Sequence, residues 1–443
     1  MNNDATKIKV VDAICGAGKT SWAIQMINDS EKIGFGTMER NDKKYIYVTP
    51  FLNEVERVSN STKADFFQPN AQQGKGSKIE HFKMLVELGK SIVTTHELFK
   101  RLDADTLDEI EQEGYILIMD EVANVLEAIN ISHKEIGYLL KLNVIEVDEL
   151  GKVTWLDEEY GQDKNDDRFR DIKIIAENEN LFILQEKAFY WTMNIKAFEA
   201  FDEVYILTYL FDGQIQKSYY DMHNVRYEKF SVNKIENRYS IVPYDKLEEP
   251  RQEMYELLNI YEDYQNGKSV SKMNSNYDSR EKLTSRQIRN QLSSTWFNNA
   301  SEEDLKKLKN NANNYLRNIC PTDNNKIFWT TIKRYAPTLK NPKCKYNKKN
   351  DRSKDNFVSF NARATNDYAE CESMVYMFNR FMNPNDKQFF TTRNVSVDED
   401  LLAVSDLIQF MFRGCIRKGK RMNCYIPSER MRSLLKDWAE YKI

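Results

Sequence analysis

Five short apolar runs mark the first half of the chain: Lys7–Ile14 (KIKVVDAI), Lys44–Thr49 (KYIYVT), Ser91–Thr95 (SIVTT), Tyr115–Asp120 (YILIMD) and Glu203–Leu210 (EVYILTYL). Each is rich in Val, Ile and Tyr and nearly continuous rather than alternating, the pattern of a strand covered on both faces within a parallel sheet. Helical or polar stretches separate them, which predicts an open α/β domain over about 1–212. Residues 133–192 read as an insertion in it, with a helical run (Lys134–Leu142), a charged loop and short strands. In the second half, Arg226–Val232 and Arg238–Val242 alternate as strands do, while Pro250–Gln265 and Ala300–Asn318 read as helices. Lys326–Ile332 and Asn356–Phe360 read as strands. Ser396 and Glu399 predict a capping box ahead of Leu401–Phe412, followed by a strand at Met422–Ile426 and a last helix capped by Ser428. Residues 213–443 are therefore expected to form a second α/β domain.

Composition narrows the class. The 443 residues carry 41% hydrophobic and 30% charged side chains, enough for real cores in a chain long enough for more than one domain. Glycine and proline are scarce, at 15 and 9 residues, so a local cluster of glycines is informative. No apolar run reaches the length of a membrane span, and polar Met1–Lys9 leads directly into a motif, so neither a membrane anchor nor a leader is expected. Six dispersed cysteines with no CxxC pair predict free thiols and a cytoplasmic setting, and four scattered histidines argue against a histidine-ligated metal hydrolase. Net charge is −4, but basic residues concentrate late in the chain. Lys333–Lys354 includes Lys343, Lys345, Lys348 and Lys349 against one acid, Asp351, and Arg413–Lys436 is also basic. That asymmetry is expected of a polyanion binder.

The sharpest chemistry lies in Ala13–Ser21 (AICGAGKTS), directly after the first predicted strand and opening a helix. Phosphate binding needs backbone N–H groups turned inward around an anion, which Gly16 and Gly18 permit, and the following helix N-terminus adds a favourable dipole. Cys15, Gly16, Ala17, Gly18, Lys19, Thr20 and Ser21 are the candidate cradle. Lys19 would reach the outer phosphates of ATP, and Thr20 would hold Mg²⁺. A second apolar strand ends in Asp120 and Glu121. Asp120 suits the metal, and Glu121 suits orienting or deprotonating a water, a role with little use in a simple kinase.

A-x-x-G-x-G-K-T followed by a strand ending in DE resembles motifs I and II of superfamily 2 helicases. Thr49-Pro50 is similar to motif Ia, and Val93–His96 to the T-T-H element that touches a nucleic-acid backbone through Thr94, Thr95 and His96. Thr208 stands where motif III couples hydrolysis to movement. Gln409–Arg417 (QFMFRGCIR) resembles motif VI, with Phe412 in place of the family glycine and the second arginine one residue late. Arg363, Thr365 and Asn366, in Ser359–Tyr368, fall where motif V binds backbone. With Trp329–Thr331 and Tyr425–Arg432 the chain is similar to helicase-like proteins of bacteriophages.

The resemblance implies two RecA-like parallel-sheet domains with an ATP cleft between them, and Gln409, Arg413 and Arg417 acting on the γ-phosphate from the second. Their i, i+4, i+8 spacing predicts one helical face, and which arginine is the finger stays open. It further implies single- or double-stranded nucleic acid as partner, DNA favoured, and replication proteins of a phage in its bacterial host. A packaging-type motor and a helicase-derived scaffold or loader are the competing classes. Trp329 and Tyr346, near the basic segment, are candidates for base stacking.

Overall fold

The computed structural model describes residues 6–30, 43–50, 52–74, 76–157, 169–265, 268–269, 271–347, 355–360 and 367–443. The chain forms two compact units. One comprises Met1–Ala13, Ala17–Tyr244 and Asn383–Val397, and the other Ile14–Gly16, Asp245–Met382 and Asp398–Ile443. The fold is mixed α/β with parallel sheets in both, as the apolar runs predict.

In chain order, the strands of the first unit begin with β1 (Ile8–Asp12), β2 (Lys44–Thr49), β3 (Phe66–Phe67), β4 (Ser91–Thr95) and β5 (Tyr115–Asp120). An inserted segment adds β6 (Leu126–Ala128), β7 (Ile145–Val147), β8 (Val153–Trp155), β9 (Leu181–Leu184) and β10 (Ala188–Thr192). Then come β11 (Glu203–Thr208), β12 (Glu228–Ile235) and β13 (Arg238–Pro243). The main sheet runs β13-β12-β1-β11-β5-β2-β4-β3, parallel throughout except for the β12–β13 hairpin. Its central strands are buried along nearly their whole length, which is why they read as unbroken apolar runs.

Two features depart from the expected boundaries. The hairpin β12–β13, expected beyond residue 212, extends the first sheet by pairing β12 in parallel with β1. Asn383–Val397 also returns to this unit: Phe389 packs on Phe182 and Tyr190, with ring centroids 6.1 and 5.1 Å away, and the Tyr190 hydroxyl donates to Asp386 at 3.2 Å. The inserted segment has its own three-stranded antiparallel sheet, β6-β10-β9, and a hairpin β7–β8. Its core gathers Ile136, Leu139, Val153, Leu181 and Phe189.

The second unit contains β14 (Leu258–Ile260), a short hairpin β15 (Tyr264–Gln265) and β16 (Lys268–Ser269), β17 (Ile327–Thr330), β18 (Ser373–Tyr376) and β19 (Met422–Tyr425). Its main sheet, β14-β19-β18-β17, is wholly parallel. The helix expected over Pro250–Gln265 covers only Arg251–Glu256, because Leu258 and Ile260 pair with β19 as strand. The late helix runs Glu399–Met411, and its cap is Asp398, which accepts from Asp400 and Leu401 N–H, rather than Ser396. Ser428 does cap the last helix, Glu429–Ala439. Trp329 and Tyr346 are fully buried in this unit's core, with their rings 4.9 Å apart. They are packing residues, which removes them as base-stacking candidates.

A polar cluster pins the helical side of the second unit. Asp278 accepts from Arg280 Nε and Nη2 at 2.8 and 2.6 Å, Trp296 Nε1 at 2.9 Å and Gln291 Nε2 at 3.1 Å. Burial works to raise its pKa, but the hydrogen bonds from Arg280, Trp296 and Gln291 outweigh it and hold the carboxyl well below the usual range. A depressed folded-state pKa stabilises the protein above the unfolded value of about 4 and is lost as pH falls toward the folded value. We expect Asp278→Ala, which strands the Trp296 and Gln291 donors, to cost ~3 kcal/mol at neutral pH. In urea melts the difference from wild type should shrink below about pH 4. A constant difference across that range would assign the loss to packing alone.

Candidate functional site

Parallel sheets gather chemistry beyond the carboxyl ends of their strands. The strand β1 leads into the glycine loop, and the helix Lys19–Ser30 follows it. Gly16 and Gly18 have φ of +91° and +98°, a conformation that glycine alone adopts freely. Gly18 is needed twice over, since a Cβ there would lie 2.2 Å from the Tyr239 ring of the β12–β13 hairpin. That hairpin is tied to the helix by a two-point backbone clasp, Gln25 Nε2 to Tyr239 O at 2.8 Å and Tyr239 N to Gln25 Oε1 at 2.9 Å.

Lys19 Nζ donates to the carbonyl of Ala13 at 2.5 Å, folding the lysine back over its own loop. Thr20 Oγ1 donates to Asp120 Oδ2 at 3.2 Å, and the buried Tyr47 hydroxyl approaches the same oxygen at 3.4 Å. Burial first, and then the neighbouring Glu121, push the Asp120 carboxyl up to about 6, with Lys19 and Thr20 pulling the other way. Burial and Asp120 hold the Tyr47 phenol protonated, so it serves as a donor. Glu121 sits at φ +69°, a left-handed conformation that costs a residue with a Cβ roughly 1 kcal/mol or more. Its N–H donates to Leu207 O at 2.9 Å, while its Oε2 is buried without a hydrogen-bond partner among the described residues.

The other expected residues have clear places. Thr49 and Thr208 end β2 and β11, both fully buried, with hydroxyls that have no partner among the described residues. Thr94 is buried inside β4, so in this conformation it offers no surface to a nucleic-acid backbone. Thr95 is half-buried, and His96 directs Nε2 to the carbonyl of Asp120 at 2.9 Å, linking the T-T-H element to the acidic strand end. Cys15 and Ala17 are half-buried, and Gly16 and Ser21 are exposed.

In the second unit, Gln409 donates from Nε2 to Ser405 Oγ at 3.4 Å. Its helix stops at Met411 with Phe412 as cap, and Cys415–Lys418 forms a 3₁₀ turn, so Gln409, Arg413 and Arg417 do not share a helical face. Arg413 is buried and donates to the carbonyls of Ser359 and Phe360 at 3.1 and 3.3 Å, whereas Arg417 is exposed on the turn. Lys343 is exposed, and Lys345 Nζ donates to Thr322 O at 2.8 Å. Lys348, Lys349, Arg363, Thr365 and Asn366 lie outside the described residues.

Three residues of the first unit escaped the sequence reading. Asp12 is fully buried and accepts from the N–H groups of Leu210 and Phe211 at 2.8 and 3.0 Å. Its signal was a charge ending an apolar strand. Tyr47 and Tyr239 had none, since each reaches the site through pairing distant in sequence.

Two family models match the chain: the YonV middle domain over residues 126–191 and the YonV C-terminal Rossmann-like domain over 252–439. The SPbeta prophage-derived uncharacterized protein YonV of Bacillus subtilis (strain 168) is 32% identical over 445 residues, spanning 98% of this chain and 99% of the relative. The chain belongs to the YonV family. The YonV middle-domain match coincides with the inserted segment, from β6 to within β10. The YonV C-terminal match takes in β14 to β19 and the returning segment Asn383–Val397. Among solved structures, that of S. tokodaii Xpd4 aligns with 99% of this chain and 94% of its own at 12% identity and a TM-score of 0.45, a likeness too loose to bear on activity. Among the described residues no helix is long and apolar enough to cross a membrane.

The strain at Glu121 yields a test independent of turnover. Glycine at this position removes the Cβ penalty and the buried unpartnered oxygen, against a smaller entropic cost in the unfolded chain. We expect Glu121→Gly to raise the melting temperature of the first unit. A lowered melting temperature would mean that the carboxylate stabilises the fold.

Proposed function

We propose that the protein is an ATP·Mg²⁺ hydrolase of the helicase or translocase type, stimulated by nucleic acid and serving phage DNA replication. The observation that carries the reading is the Thr20–Asp120 hydrogen bond at 3.2 Å. It brings together the hydroxyl that opens the loop's helix and the carboxylate that ends β5, the pair of oxygen donors Mg²⁺ takes alongside substrate phosphates. Among the described residues no cluster of three or more His, Cys, Asp or Glu forms a self-sufficient metal site, so this donor set fits a metal arriving with its nucleotide. Bound Mg²⁺ would neutralise charge building on the β- and γ-phosphate oxygens.

The chain's own groups supply the rest. Backbone N–H groups around Gly16 and Gly18 favour a phosphate, and Lys19 exchanges the Ala13 carbonyl for a phosphate oxygen. The unpartnered Glu121 Oε2 is suited to accept a proton from the attacking water. His96 and Tyr47 hold the Asp120 end of the strand in place. Nucleic-acid dependence rests on the helicase resemblance and on the basic segments. A role in phage replication is in keeping with a relative that derives from a prophage.

ATP turnover of the full chain, measured with and without single-stranded DNA, tests this reading. We expect turnover that rises with DNA. Lys19→Ala should abolish it with melting unchanged, and Glu121→Gln should retain ATP binding while losing hydrolysis. Turnover indifferent to DNA would favour a packaging-type motor, and none at all a scaffold or loader.

The two arginines should separate. Arg417→Ala should leave ATP affinity nearly intact and cut turnover by ~10³ if it is the finger, without rescue by lysine. Arg413→Ala should instead lower the melting temperature, because it leaves the carbonyls of Ser359 and Phe360 unpaired. Equal melting losses in both variants would remove Arg417 as the finger.

A further inference from the structure

The first unit holds a cavity that shares no residue with the glycine loop or the acidic strand end. It has a volume of about 300 Å³, at the small end of ligand pockets. Its walls come from the β7–β8 turn, β9, the stretch Thr192–Ile195, the end of the helix Ile215–Met222 and the returning segment. Phe182, Met193, Ile195 and Met222 give it apolar sides.

Arg393 is the group out of balance. Its Nη1 and Nη2 donate to the carbonyls of Phe389 and Ile183 at 2.8 and 3.2 Å, and the guanidinium lies 3.9 Å from the Phe389 ring centroid and 5.5 Å from that of Phe182. Among the described residues it makes no ion pair, and its Nε is buried without a partner. Two neutral carbonyls and two ring faces meet the half-buried guanidinium directly, while Asp148 on the same wall acts on it without forming an ion pair. A charge drawn partly out of water is favoured by a counter-charge in direct contact. His223, also on the wall, has a buried Nε2 with no partner among the described residues, and its ring centroid lies 4.6 Å from that of Tyr219. Burial lowers its pKa, so it is neutral near pH 7 and adds no charge to the wall.

The other wall charges are occupied. Lys152 pairs with Glu179 at 3.3 Å, and Asp148 Oδ1 accepts the backbone N–H groups of Leu150 and Lys152 in its own turn. The seat of Arg393 is also built for it. Gly151, at φ +79°, leaves the room: a Cβ there would lie 2.7 Å from Arg393 Nη2.

We propose that this cavity binds a small organic monocarboxylate, its head on Arg393 and its apolar body against Phe182, Met193 and Met222. The carboxylate supplies a close counter-charge, which Asp148 gives only without an ion pair, and accepts from the outer N–H groups of the guanidinium. The apolar walls admit a short hydrocarbon or aromatic body and exclude a nucleotide by size. The site is independent of ATP binding and of the reading above.

Hexanoate, hexanamide and hexylamine, three probes of equal length, test it on the full chain by calorimetry and ligand-observed NMR. Hexanoate should bind saturably in the millimolar range or tighter, hexanamide about tenfold or more weakly, and hexylamine not at all. Arg393→Gln should remove the preference for the acid. Because that variant also disturbs the returning segment, Met222→Trp serves as a second. It fills the cavity, leaves Arg393 in place, and should abolish hexanoate binding without lowering the melting temperature. Absence of saturable hexanoate binding, equal binding of the three probes, or binding unchanged in Met222→Trp would each overturn the assignment.

Discussion

The strand β1 is where the first unit's local and long-range demands meet. It pairs in parallel with β11 on one side and β12 on the other, partners that lie nearly two hundred residues or more along the chain. Neither pairing can form until most of the unit has been made, and such loops are closed at an entropic cost that only the finished sheet offsets. Asp12 completes the arrangement at the strand's end, its two oxygens holding the N–H groups of Leu210 and Phe211. Lys229 of β12 stands 3.6 Å from the same carboxylate. The register this sets, Asp12 opposite Thr208, decides where the glycine loop begins relative to the ends of β11 and β5.

From that register follows an uneven distribution of cost. Along the central strands the side chains are packed and buried. At their ends and just beyond, the balance reverses: Glu121 is held at positive φ, Asp120 is buried beside a like charge, and the hydroxyls of Thr49 and Thr208 and one oxygen of Glu121 are enclosed without partners among the described residues. Unpaired buried groups are uncommon in a settled interior, and several at the ends of neighbouring strands mark a place shaped for something other than stability. The sheet tolerates them because the backbone around them is fixed from both sides, Glu121 N–H by Leu207 O and the Asp120 carbonyl by His96.

What the sequence made legible is what local pattern determines. β2, β4 and β5 fall where their apolar runs place them, since a strand covered on both faces must be apolar throughout. The glycine loop was equally readable, because its positive φ angles leave little choice of residue. The inserted segment showed as a change of pattern between two sheet strands. Illegible were the features that depend on who pairs with whom. β12 and β13 look like any alternating hairpin until β1 claims them, and Leu258–Ile260 continues a helical pattern until β19 draws it into a sheet. Trp329 and Tyr346 lie beside basic residues in sequence, yet their side chains point to the core that Phe357 and Tyr425 also line.

The basic turn after the helix Glu399–Met411 shows how spacing can mislead. Counting by fours assumes that the helix continues, but Phe412 caps it and Gly414 follows. Gly414, at φ −83°, needs no special conformation; what it supplies is room. A Cβ there would lie 2.7 Å from the Met422 sulfur and 2.9 Å from the Phe328 ring, so the chain passes directly over β17 and β19 and cannot go on as a helix. The break divides the labour of the two arginines. Arg413, on the packed side, is spent on the carbonyls of Ser359 and Phe360, so it fixes the end of the segment that follows β17. Arg417 is carried beyond the glycine onto an exposed 3₁₀ turn. The late second arginine thus stands beyond the turn that the glycine makes, off the helical face that counting by fours would give it.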